Sequence, residues 1–156
     1  MTDSEGPVRS AEERLATAWW ALRVGLGVGV FVAGLDKYFN LLATWSMYLS
    51  PIAERLLPVS EGLFMRCVGC VEMVVGIGVL TRWTRQSAYL LAAWLLAIAV
   101  NLAVSGNFWD LAIRDVEIAI SAFALARLTE WRAALRQASG IERGGIAHLH
   151  HGGAEA

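Results

Sequence analysis

Four stretches of this chain, about 18–36, 62–80, 87–105 and 109–128, are each apolar over some 19–20 residues, and this repetition limits the fold more than any other feature. As helices of about 20 residues, rising roughly 1.5 Å per residue, they match a hydrocarbon core about 30 Å thick. The whole sequence of 156 residues is 56% apolar with a mean hydropathy of +0.50, and seven of its residues are tryptophan. Indole rings carry one polar edge and collect at membrane interfaces. A soluble four-helix bundle would need a charged outer face on every helix. The stretch "SAYLLAAWLLAIAVNLAVS" has none. The reading is therefore an all-α, integral membrane four-helix bundle, located in the cell (inner) membrane as a multi-pass protein. With 17% charged residues and a net charge of −1, nothing indicates a nucleic-acid partner.

Basic residues set the expected orientation. Arg9 and Arg14 precede the first stretch, Arg82 and Arg85 occupy the turn after the second, and Arg127, Arg132, Arg136 and Arg143 follow the fourth. The remaining two loops hold Lys37 and Arg55 in one and no base in "SGNFWD". Positive residues favour the cytoplasmic side, so both termini are expected inside. The domain organisation is then a cytoplasmic segment 1–17, a membrane domain 18–130 and a cytoplasmic tail 131–156, Gly-rich, polar and partly disordered toward its end. Within the first outer loop, "LLATWSMYLSPIAERLLPV" is expected to form a short amphipathic helix on the outer membrane surface.

Charges inside a membrane are expensive and usually face a partner or cavity. Helical phase, about 100° per residue, groups them. Arg23, Gly27, Val30, Gly34 and Lys37 share one stripe; Asp110, Arg114, Glu117 and Ser121 share another, with Asp115 a quarter-turn away. Glu72 shares its face with Met65, Gly69, Gly76 and Val79, while Cys67 and Cys70 lie roughly 140° and 160° from it. A single site using both Glu72 and the thiols is therefore not expected. By depth, all these charges except Arg23 fall in the outer half. They imply a polar pocket opening outward, lined by three helices, with Lys37, Glu72, Asn101, Arg114, Asp115 and Glu117 as candidate ligand contacts. Arg23, Asp36, Arg66 and Asp110 are candidates for structural charges that fix helix register. Glu72 is expected to neighbour Arg114 or Lys37.

No catalytic residue can be assigned. The three histidines, His148, His150 and His151, all lie in the tail, so this chain offers no bis-His ligation for a membrane haem; no zinc arrangement appears, and "HLHHGG" reads as a solvated tail that could hold a metal only weakly. "GLGVGV" sits inside a span, follows no strand and reads as a helix-packing motif rather than a cofactor loop. Any electrons must travel on a mobile ligand such as a quinone, or through a partner subunit.

Three segments carry a family likeness: "ALRVGLGVGVFVAGLDKYFN", "VGCVEMVVGIGVLTRWTRQSA" and "DLAIRDVEIAI". Together they resemble the DoxX/DoxD-like family of small four-span membrane proteins over about residues 18–130. That resemblance implies a four-helix bundle and a quinone-linked or redox-stress role, with Arg23, Lys37, Glu72, Arg114 and Asp115 at the signature positions. The Cys67/Cys70 pair is no part of the family pattern. The leading expectation is a membrane subunit or accessory protein of a quinone-linked redox complex, partnered by other membrane or peripheral redox subunits. The alternatives are a non-enzymatic anchor that docks a larger complex, a thiol oxidoreductase using Cys67 and Cys70, whose outward depth near Arg66 suits a reactive thiol, and a transporter.

Overall fold

The computed structural model describes the backbone of residues 5–56 and 58–151 and the side chains of 13–52, 55 and 58–137. Helix α1 spans Glu5–Phe39, α2 Pro51–Leu56, α3 Glu61–Leu80, α4 Thr84–Ser105 and α5 Trp109–His151, with a 3-10 turn at Trp45–Tyr48. No strand occurs among the described residues. The prolines sit where a missing N–H costs nothing: Pro7 in the first turn of α1, Pro51 opening α2 and Pro58 just before α3. Two left-handed residues stop helices. Asn40, at φ 51°, follows α1, and Gly106, at φ 78°, follows α4.

The long helices form two antiparallel pairs, α1 with α3 and α4 with α5, and the short turn 81–83 links the pairs. Glycines set the first pairing. The backbone of Gly27 lies against that of Gly76, and Gly34 against Gly69; a side chain at Gly34, Gly69 or Gly76 would meet backbone, and one at Gly27 would meet the Leu80 side chain. Alanines and leucines set the second. Ala88, Leu91, Ala92 and Leu95 of α4 meet Ala119, Ala122, Leu125 and Ala126 of α5 in the main core, which also takes Trp19, Val75 and Val79. A smaller core, Ala99, Leu102 and Ala112, closes the other end under Tyr48 and Phe108.

The outside is as apolar as the inside. Val24, Val28, Val32 and Leu35 form an exposed stripe on α1, and Val74, Ile77, Leu96, Val100, Ile113 and Ile120 are exposed on the other helices. Three helices, Glu13–Phe39 of α1, α3 and α4, are long and apolar enough to cross a membrane. The fourth expected span lies within α5, where Asp110, Arg114, Asp115 and Glu117 dilute its hydropathy.

One further expectation meets a different structure. The amphipathic helix expected between α1 and α3 is two short pieces, the 3-10 turn and the six residues of α2, because Pro51 ends any helix running from Trp45. The backbone of α5 is helical as far as His151, and residues 152–156, the end of the expected tail, lie outside the described residues. The side chains of His148, His150 and His151 lie outside the described residues.

Candidate functional site: a buried ion pair under a tryptophan

The close approach of Gly34 to Gly69 places two long side chains against each other one turn further on. Lys37 Nζ lies 2.6 Å from Glu72 Oε2, and the two side chains are only 5% and 7% exposed. Trp45, from the 3-10 turn, covers the pair, with the ammonium 3.7 Å from its ring centroid. A cation over an indole face gains from the ring quadrupole, most of all out of water. Trp45 is itself fixed, because its indole N–H donates to Asp36 Oδ2 at 2.8 Å. The same Asp36 carboxylate accepts the backbone N–H groups of Leu41 and Leu42 at 2.9–3.1 Å. Asp36 thus shapes the chain reversal that brings Trp45 back over Lys37.

Asp115 of α5 is the third member. It is half-buried and close enough to Glu72 and Lys37 to feel both charges, along with that of its neighbour Arg114. Lys37, Glu72 and Asp115 from three helices therefore form one ionic cluster near the loop that follows α1, with Lys37 as the cationic partner of Glu72.

The other pocket candidates go elsewhere. Asn101 ties the loop to α4: its amide N–H donates to the Tyr48 carbonyl at 2.8 Å, and its oxygen accepts from the Ser50 N–H at 3.2 Å. Arg114 and Glu117, expected to line the pocket, are exposed, as is Asp110, a candidate structural charge. The reason is steric. The opposite face of α5 carries Ala112, Ala119, Ala122 and Ala126, and only that face allows α4 to approach closely. Charge phase alone could not rank these two faces, whereas the alanine spacing could have.

The structural charges also find defined places. Arg23 donates from Nε to the Val79 carbonyl at 3.1 Å and from Nη2 to the Leu80 and Thr81 carbonyls at 2.6 and 2.7 Å. A cation on these orphan carbonyls at the C-terminal end of α3 is favoured by the helix dipole as well as by hydrogen bonding. The Thr84 hydroxyl donates to the Val79 and Thr81 carbonyls of the same turn. Arg66 is exposed, and its carbonyl accepts from the Tyr38 hydroxyl at 3.1 Å.

Cys67 and Cys70 are free thiols on the exposed face of α3. Cys70 Sγ is 2.7 Å from the Tyr38 hydroxyl. Glu72 is buried on the other side of the helix, as its phase relative to the cysteines required. Sequence reasoning missed Trp45 as the cover of Lys37. The signal was "DKYFNLLATW", an acid followed nine residues later by an indole, which becomes legible only when the chain reverses at Asn40. No group of three or more His, Cys, Asp or Glu that could hold a metal ion is present among the described residues. Compared with known proteins, the chain matches no family model, no characterised protein and no solved structure.

Proposed function

We propose that the chain is a four-span membrane subunit or accessory protein of a quinone-linked redox complex, N-in and C-in, in the cell (inner) membrane. The observation that carries this reading is the buried Lys37–Glu72 pair with Asp115 beside it. A protein that buries an ammonium and a carboxylate in an apolar body, with a second carboxylate half-buried beside them, retains groups able to hold and pass a proton. Lys37 can donate to a quinone carbonyl once Trp45 is displaced, and Glu72 or Asp115 can relay the accompanying proton. The redox assignment itself draws on the resemblance of the three charged segments to DoxX/DoxD-like proteins.

Two features support α5 as the fourth span. Trp109 and Trp131, both exposed, are separated by about 33 Å of helix at roughly 1.5 Å per residue, a spacing that suits indoles at two interfaces. Placed so, Asp110, Arg114 and Glu117 face outward within the membrane, where bare charges are costly. They supply a ready contact for another subunit, which fits an accessory role.

A second reading, the non-enzymatic anchor, is favoured by the closed state of the ionic cluster. Lys37 is paired, stacked and nearly inaccessible, which is also what a register-fixing charge looks like. Glu72→Gln separates the two. It keeps size and a hydrogen bond to Lys37 while removing the charge and the proton relay. For a quinone-linked subunit, the variant assembles on a native gel and loses most quinone binding or whole-complex turnover. If it assembles and works like the parent, the cluster is structural and the anchor reading stands.

Topology is tested separately. A single cysteine at Asn107, in a background lacking Cys67 and Cys70, is expected to react with an impermeant thiol reagent in intact cells, and one at Gln86 is not. Asn107 is chosen over Gly106, whose positive φ disfavours any side chain. The reverse labelling would invert the orientation.

A further inference from the structure

We infer that Trp19, Arg23 and Arg132 form a seat for a phosphate group, that of an anionic phospholipid in the leaflet beside the α3–α4 turn. The inference uses the membrane placement proposed above and is independent of the redox reading.

The site is built around one indole. Trp19 is almost fully buried, and its N–H donates to the Thr129 hydroxyl at 2.8 Å, which joins α1 to α5. The guanidinium carbons of Arg23 and Arg132 lie 4.7 and 4.3 Å from its ring centroid. Arg23 also stands 5.0 Å from the ring of Trp20, which meets Trp19 edge to face. Two cations are thus drawn to one aromatic platform, although they repel each other.

No carboxylate compensates them among the described residues. The two ion pairs there are Lys37–Glu72 and Arg127–Glu130, and the second carboxylate of this region, Glu130, also accepts from the Tyr89 hydroxyl. Arg23 spends two of its nitrogens on the neutral carbonyls of α3, which bring no negative charge. Among the described residues, the Nη1 of Arg132 is buried without a hydrogen-bond partner. Its pKa is held below the ordinary arginine value by removal from water, then by the charges of Arg136 and Arg23. Arginine remains protonated regardless, so the shift marks a guanidinium held partly out of water beside two other cations.

A phosphate oxygen satisfies that environment, because a planar guanidinium presents paired N–H donors to it. Two sources share this chemistry: a lipid phosphodiester and free inorganic phosphate. The surroundings favour the lipid. Trp131, next to Arg132, is exposed at the end of the spanning part of α5, so the guanidinium sits at headgroup depth.

The test uses the full chain purified in mild detergent, with phosphatidylglycerol and phosphatidylcholine of equal acyl composition added together. Native mass spectrometry counts the lipids retained. The expected result is one phosphatidylglycerol retained in preference to phosphatidylcholine, a preference that falls about fivefold in Arg132→Gln, the scale of one basic residue near a membrane surface. Arg85→Gln, a charge lost from the same end of the bundle without the aromatic platform, should leave the preference unchanged. A folded Arg132→Lys should retain part of it. Wild type without any preference overturns the proposal, as does Arg85→Gln lowering it as much as Arg132→Gln, which would mean diffuse attraction rather than a seat. If inorganic phosphate, compared with chloride at equal ionic strength, raises the thermal stability of wild type but not of Arg132→Gln, and no phosphatidylglycerol is retained, the lipid assignment is overturned in favour of the free ion. Should Arg132→Gln not fold, the wild-type lipid count still decides.

Discussion

Glu72→Leu is expected to destabilise the protein by about 3–5 kcal/mol, the range for breaking a buried ion pair by removing one partner. Most of that loss comes from the lysine left behind. Lys37 is 5% exposed, lies under Trp45 and has Glu72 as its ion-pair partner. Without the carboxylate, its ammonium must either lose its proton or draw water into an apolar body. Lys37→Met combined with Glu72→Leu removes both charges and is expected to recover most of the stability, because replacing a whole buried pair by apolar groups is often neutral. Unfolding of the purified protein by heat or by SDS, followed by circular dichroism, measures both variants. Asp115 complicates the single variant in an informative way. It already feels the Lys37 charge and can take over part of the pairing, so Glu72→Leu with Asp115→Asn should cost more than the sum of the two separate changes. A single-variant cost under about 1 kcal/mol, the size of an exposed pair, would mean that the pair is hydrated in the folded protein.

What could be read from the sequence divides along a physical line. Helices were legible because hydropathy needs no partner: 62–80 and 87–105 correspond to α3 and α4 within a few residues. The inward direction of Glu72 was legible because Gly69 and Gly76 share its face, and small residues mark where helices touch. The same rule, applied to alanine as well as glycine, would have turned α5 correctly. Reading charge as the inward signal put Arg114 and Glu117 on the wrong side, because a charged stripe and a packing stripe have the same period. Arg23 was legible as a charge within a span, but its partners were not. They are the last carbonyls of α3, and backbone acceptors leave no trace in side-chain identity. The loop was the least legible part. Trp45 over Lys37 and Asn101 against Tyr48 and Ser50 depend on how residues 40–60 fold back, and the Asp36 hydrogen bonds to Leu41, Leu42 and Trp45 set the start of that path.

Gly34→Leu tests the cause of the ion pair rather than the pair itself. A Cβ at Gly34 would stand 2.6 Å from the Gly69 carbonyl oxygen, 2.9 Å from Glu72 Cβ and 3.0 Å from the Met73 nitrogen. Two of those three atoms are backbone and cannot swing aside as a side-chain tip would. The helices must therefore separate, and the separation acts one turn below Lys37, where the 2.6 Å contact to Glu72 has little slack. The expected loss is about 3 kcal/mol or more, at the upper end for overpacking, because weakening of the ion pair adds to the steric strain. Gly29→Leu is the control on the same helix. Nothing lies within 4 Å of a Cβ there, and leucine is the better helix former, so the change should be neutral or stabilising by up to about 1 kcal/mol. The pair of variants holds residue type, helix and hydropathy constant and changes only which face receives the side chain. Equal stabilities in an unfolding titration would show that α1 and α3 do not pack through Gly34 and Gly69, and the route by which Lys37 reaches Glu72 would fall with that contact.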